Sequence, residues 1–289
     1  MAALPKTILL LAAVITPVFG FCGARTHLDR RAEGETVPVA TFGYFGLGGP
    51  LMWHQLSPEN SACSTGTNQS PINMVAGSFT LTPASNLTVT LPDTVPEAEF
   101  ENLGSTIEVV MEGLGGTLEL NGLEYELLQF HFHHPSEHVD NGVSMPMEMH
   151  MVFSHETQLA VIGVYIDLVD SVSSNATSLH LRRRASSSSM LESIFSSIDG
   201  IATPGSVTKT PAFSMTELND LLDTTDFQRY SGSLTTPPCS EGVEWSVPTK
   251  KLALSRETFA KVRDVVGFNS RYPQNTPGMI NLLAMAKLE

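Results

Sequence analysis

Nine histidines occur in the 289 residues, and His131, His133, His134, His138 and His150 crowd into one short stretch of them. Side chains two apart in a strand share a face, so His131 and His133 offer two imidazoles to one ion while Phe132 points the other way. Glu148-Met149-His150 repeats the alternation. A neighbouring antiparallel strand would therefore bring a third nitrogen to the same face, with Glu148 beside it. Three neutral nitrogens with one position left open is the ligand set of a catalytic zinc, Zn2+, whereas a structural site takes four protein ligands. Gln129 and Glu148 each precede a ligand by two residues and are placed to orient an imidazole from behind. His134 and His138 read as scaffold or surface groups.

Such a cluster needs strands to hold it, and the surrounding pattern supplies them. Leu87–Leu91, Ile107–Met111, Thr117–Leu120, Leu127–His133 and Met147–Phe153 are short β-type runs, and Leu159–Ile166 has the continuous apolar character of a strand buried on both faces. Two helices are expected. Ser214 would open one through a capping box to Glu217, and Ser255 would cap another whose Phe259, Val262 and Val266 share a face before Gly267 ends it. The serine-rich stretch Ser171–Ser197, which contains Arg182-Arg183-Arg184, reads as a surface loop insertion. No repeat is present and no linker divides the middle of the chain, so the length fits one sheet-based domain.

Composition limits the partners. With 16 basic and 30 acidic residues the formal charge is -14, which repels nucleic acid and anionic lipid. No apolar run reaches membrane-spanning length. Lys6, the apolar run Ile8–Ile15 and Thr16–Gly20 have the form of a secretory signal over residues 1–20, and Arg30-Arg31 would close a short propeptide at 21–31, leaving a domain at 32–289. The address expected is therefore extracellular or cell-wall space. Of three cysteines, Cys22 lies in the trimmed region, leaving Cys63 and Cys239 as one disulfide or as two separate buried thiols. Asn86-Leu87-Thr88 and Asn175-Ala176-Thr177 are glycosylation sequons. Asn68-Gln69-Ser70 also fits but is discounted, because Pro71 and Ile72 follow it.

Several blocks together resemble the α-class carbonic anhydrases: Gln129-Phe130-His131-Phe132-His133, Glu137-His138, Glu148-Met149-His150 and Ser233-Leu234-Thr235-Thr236-Pro237-Pro238. Phe42-Gly43-Tyr44 and Asn68–Ile72 match upstream, and Trp245, Asn269 and Arg271 match downstream. The resemblance implies a mainly β, single domain built on a large, mostly antiparallel twisted sheet with a few peripheral helices. It also implies a Cys63–Cys239 disulfide. His131, His133 and His150 fall on its zinc-ligand positions and Asn269 on a supporting one. Thr235 falls on a threonine that accepts a hydrogen bond from zinc-bound hydroxide and donates to the carboxylate matching Glu137. Val152, Val161, Leu234, Val243 and Trp245 match an apolar substrate wall with Thr236 nearby, and Tyr44 and Asn102 a polar cavity side.

The implied activity is zinc-dependent reversible hydration of carbon dioxide to bicarbonate and a proton. The rival reading is a non-catalytic relative serving as a binding module, which usually lacks a ligand histidine. Carbon dioxide and bicarbonate are the partners expected, with no nucleic acid, no membrane, and the choice between monomer and homodimer open. Ser105 occupies the position where fast members of the family place a proton-accepting histidine. A serine hydroxyl holds no extra proton near neutral pH, whereas imidazole does.

Overall fold

The structure is a computed structural model that describes residues 36–170 and 186–286. The signal and propeptide segments, Cys22, Asn175 and Arg182–Arg184 lie outside the described residues. No helix among the described residues is long and apolar enough to cross a membrane.

Twelve strands form one sheet. Its centre is the antiparallel run Ile107–Val110, Leu123–His133, Met147–His155 and Gln158–Val169. Gln158–Val169 then pairs in parallel with Glu241–Pro248 and with Leu252–Ser255. Phe227–Ser233 and the short strand Thr80–Thr82 extend one side, and Glu99–Asn102 and Val207–Lys209 the other. Apart from those two parallel contacts the sheet is antiparallel, as the resemblance implies.

Strand alternation divides the residues between two faces. Phe130, Phe132, Met147, Met149 and Met151 enter the large core with Ile162, Val164 and Phe195. Aromatic packing, with Phe130 edge-on to Phe132 and the Phe132 and Phe195 centroids 4.7 Å apart, fills this side closely. Gln129, His131, His133, Glu148, His150 and Val152 take the intervening positions and so face the other way. The central strands are longer than the apolar runs indicate: Leu123–His133 starts four residues earlier than Leu127 because its first turn pairs with Thr117–Leu120.

Two local expectations change. The stretch Ser171–Ser197 is not one surface loop, because Ser189–Phe195 is a helix that buries Met190, Leu191, Ile194 and Phe195. The abundant serines obscure this i, i+1, i+4, i+5 apolar pattern, and Ser188 caps the helix by accepting from the Leu191 N–H. The capping box at Ser214 is also absent. The helix begins at Thr216, Ser214 pairs with Thr94 in a small ladder, and Glu217 accepts from the Ser189 N–H. Helix Arg256–Val266 conforms, with the Ser255 side chain accepting from Thr258 and Gly267 at φ 64° ending it.

Cys63 and Cys239 are joined by a disulfide. It ties the short helix Ala62–Thr65 to the loop that follows strand Phe227–Ser233.

Candidate metal centre

His131 and His150 are direct cross-strand partners, and His133 pairs with Glu148 on the same two strands. The three histidines are almost completely buried, and one nitrogen from each lies within 4.8 Å of the others. Their ring centroids are 4.5–5.3 Å apart.

Each ring is held from behind. His131 Nδ1 lies 2.9 Å from Gln129 Oε1, and His133 Nδ1 lies 2.8 Å from the Asn269 carbonyl oxygen. His150 Nε2 lies 3.0 Å from Glu148 Oε1. The acceptors behind His131 and His133 fix a proton on the nitrogen each faces, and with Glu148 behind His150 the nitrogens left to converge are His131 Nε2, His133 Nε2 and His150 Nδ1. His133 Nε2 is buried with no hydrogen-bond partner, an arrangement that costs free energy unless something else occupies that lone pair; His150 Nε2 sits close to Glu148 Oε1 but out of hydrogen-bond alignment with it. Burial, with the neighbouring His133 and His150 rings, holds the His131 pKa well below its ordinary value. Burial also lowers that of His133. Both are neutral near pH 7, the form that binds a metal.

Glu148 supports more than His150. Its Oε2 accepts from the N–H groups of Glu137 and His138 at 2.9 and 2.8 Å, and its Oε1 also meets His138 Nδ1 at 2.7 Å. Burial works to raise the Glu148 pKa, but His138 and His150 outweigh it and hold the carboxylate well below its usual range. His138 is thus a fully buried scaffold group, not a surface one. Its Nε2 lies 2.7 Å from the Tyr230 hydroxyl, which donates to Ser70 Oγ at 2.8 Å. No sequence spacing signals this chain, because Tyr230 is 92 positions from His138 and Ser70 another 160 from Tyr230.

Glu137 lies on the side where the ring nitrogens converge, its Oε2 3.5 Å from His133 Nε2 and 3.9 Å from His150 Nδ1. Its Oε1 accepts from the Arg271 backbone N–H at 2.8 Å, while Oε2 has no hydrogen-bond partner. The bond implied from Thr235 to Glu137 is therefore not made to that oxygen. Thr235 and Thr236 are buried on the loop after Ser233, where the Cys239 N–H donates to the Thr236 carbonyl. Asn269 braces the site twice more: its Oδ1 accepts from the His134 N–H, and its Nδ2 donates to the carbonyls of Ser105 and Phe132.

Beside the rings Val152, Val161, Leu234, Val243 and Trp245 form one apolar cluster. Register explains it, since Val152 opposes Val161, which opposes Trp245. The Trp245 ring packs 4.8 Å from that of His150, and its Nε1 donates to the Ser233 carbonyl. Gly163 faces His150 across the strands, and a Cβ there would stand 2.6 Å from Glu148 Oε1. Only a missing side chain leaves the carboxylate its place.

On the polar side Tyr44 packs against Trp53 and Phe268. Asn102 does not present its amide to a cavity. Its Nδ2 donates to the Ile201 carbonyl and its Oδ1 accepts from the Gly104 N–H, so both ends of the amide are spent on backbone, one local and one distant. Ser105 is buried nearby, and Glu108 on strand Ile107–Val110 is the cross-strand partner of His131.

The family model for eukaryotic-type carbonic anhydrase matches residues 48–279, a span that contains every group just described except Tyr44. This chain belongs to the eukaryotic-type carbonic anhydrase family. It is an enzyme of reversible carbon dioxide hydration. A carbonic anhydrase of Neisseria gonorrhoeae is 35% identical over 86% of this chain and 85% of its own. The solved fungal alpha carbonic anhydrase from Aspergillus oryzae superposes with a TM-score of 0.77 at 36% identity, covering 86% of this chain and 100% of that one. The alpha carbonic anhydrase of Thermovibrio ammonificans, solved with the inhibitor sulfanilamide, gives 0.68 at 36% identity over 82% and 96% of the two chains. The carbonic anhydrase fold thus accounts for the sheet, and the three buried imidazoles are what this chain places in it.

Proposed function

We propose that this carbonic anhydrase works on a zinc ion held by His131 Nε2, His133 Nε2 and His150 Nδ1. The observation that carries the proposal is three buried imidazoles whose remote nitrogens each lie within 3.0 Å of an oxygen acceptor, while the inward nitrogen of His133 has no hydrogen-bond partner. Nitrogen donors of this kind suit zinc, and three protein ligands leave the open position that catalysis needs. When bound, zinc supplies the Lewis acidity that makes water an available nucleophile near neutral pH.

The remaining steps belong to the chain. The wall of Val152, Val161, Leu234, Val243 and Trp245 holds an apolar substrate next to the ligands by excluding water from it. Thr235 stands on a loop braced by the disulfide; its hydroxyl is not bonded to Glu137 Oε2 in this structure, and with zinc bound it would accept from a proton-bearing donor and donate to that oxygen. Glu137 takes that role because Oε1 is already tied to Arg271 and only Oε2 is left to accept. The Thr235 backbone N–H polarises one substrate oxygen as negative charge develops there. These are positioning tasks. No residue in them needs to give up a proton to bulk solvent, and Ser105 does not accept one.

The chain is also read as a secreted glycoprotein. The disulfide suits an oxidising compartment, and Asn86 and Thr88 are both exposed at the start of strand Thr88–Thr90. The test of the central proposal is elemental analysis with pH-stat hydration assays on native protein and His133→Ala. One zinc per native chain, with metal and hydration both lost in the variant, supports it. Full metal occupancy in His133→Ala refutes the ligand assignment, and a native chain that binds zinc but hydrates nothing favours the binding-module reading.

A further inference from the structure

The segments that brace His133 also border a cavity of about 420 Å³. Residues 133–137 and 269–271 are zipped together by five contacts: His133 Nδ1 to the Asn269 carbonyl, the His134 N–H to Asn269 Oδ1, the Asn269 N–H to the His134 carbonyl, the Ser270 hydroxyl to the Pro135 carbonyl, and the Arg271 N–H to Glu137 Oε1. Pro135 and Glu137 from one side of this seam, and Ser270 and Arg271 from the other, line the cavity. Its inner end is formed by Glu137 and Arg271, each only 1% exposed, and its mouth by Leu51 at 59% and Phe268 at 44%. Phe45, exposed at 73%, packs on Phe268 with ring centroids 5.7 Å apart. Large apolar groups gathered at the mouth of a concave site are costly in water and are the ordinary material of a ligand pocket.

We propose that this cavity binds a flat, uncharged aromatic molecule of one or two rings, and that its occupancy loosens the seam and lowers turnover at the metal centre. The volume lies within the range that takes a small organic ligand. Tyr44, Phe268 and Tyr272 offer ring faces or edges, and Leu51 and Val139 fill between them. The Arg271 guanidinium is spent on Ser70, Cys63 and Gln69, none of which lines the cavity, so a charged ligand would give up its hydration there with little to offset the loss. A ring wedged between Pro135 and Tyr272 presses on both sides of the hydrogen bonds that orient His133 and Glu137. The binding half of the inference stands on the cavity alone, whereas the coupling half rests on the metal-centre reading above.

The test is a 19F NMR titration of the native protein with 6-fluoroindole, repeated with sulfanilamide present and with the surface variants Leu51→Glu and Phe268→Glu. Saturable binding that sulfanilamide leaves intact, and that each variant weakens about tenfold, a loss of about 1.4 kcal/mol of apolar contact, supports the site. Saturating probe should then lower kcat for hydration while leaving KM for carbon dioxide unchanged. Failure to saturate at millimolar probe, displacement by sulfanilamide, or equal affinity in both variants overturns the site. An unchanged kcat at saturation overturns the coupling alone. A chain without any hydration activity would count against the proposed function, and the probe and variant titrations would still decide the site.

Discussion

Replacing Glu148 with Gln changes one atom and should reach the metal. Two N–H groups, from Glu137 and His138, point at Oε2, so the amide oxygen must take that place. The amide NH2 then faces His138 Nδ1 and His150 Nε2, the nitrogens that Oε1 met at 2.7 and 3.0 Å. Donor would face donor unless His150 moves its proton to Nδ1, which is the nitrogen it turns toward the ion. Loss of such an outer partner costs about 10–100-fold in metal affinity, or about 1.4–2.8 kcal/mol. The metal-free protein should lose about 3 kcal/mol as well, because a buried charged network has been broken. Competition against a chromophoric chelator measures the first quantity, and urea unfolding of the metal-free protein the second. Zinc affinity within twofold of native, alongside the expected loss of stability, would refute the claim that Glu148 sets the His150 tautomer.

Acid should weaken the metal-free protein early. His131 and His133 have folded pKa values below their unfolded value of about 6.5, so their contribution is complete above that pH and is lost as pH falls below it, by up to about 1.4 kcal/mol per unit for each ring. Glu148, also lowered, adds a second loss below about pH 4.5, its ordinary value. Urea midpoints from pH 7.5 to 4 check this, and a flat profile between 6.5 and 5 would contradict it. Reduction of the Cys63–Cys239 bridge, or Cys63→Ser, should cost up to about 5 kcal/mol for a separation of 176 residues, read by thermal unfolding with and without reductant. Turnover in weak buffer should rise with added imidazole while kcat/KM stays level, and Ser105→His should raise the unbuffered rate. A native enzyme indifferent to buffer would mean that some other group already carries the proton.

The three-histidine cluster was legible because strand alternation is a rigid rule: His131, His133, Gln129, Glu148 and His150 obey a period of two, and one antiparallel pairing superimposes them. The sheet itself was legible for the same reason. What failed was local chemistry with competing outlets. Asn102 ties its amide to the backbone of Gly104 and of Ile201, and no spacing announces a partner 99 residues away. Ser214 and Glu217 had the spacing of a capping box, yet the ladder to Thr94 and the Ser189 N–H claimed them first. The His138–Tyr230–Ser70 chain could not be read at all, since nothing in one strand announces a hydroxyl carried by another.

The brace from residues 269–271 also sets an order of events during synthesis. The three clustered histidines, the proposed ligands, leave the ribosome more than a hundred residues before Asn269 and Arg271, which orient His133 and hold Glu137. A nascent chain therefore exposes metal-binding imidazoles long before it has the means to aim them, and any ion taken up early is held by groups still free to turn. Correct loading becomes a check that the C-terminal segment has emerged and docked. A chain ended at Val266 should accordingly bind zinc weakly and without hydration activity, although all three ligands remain.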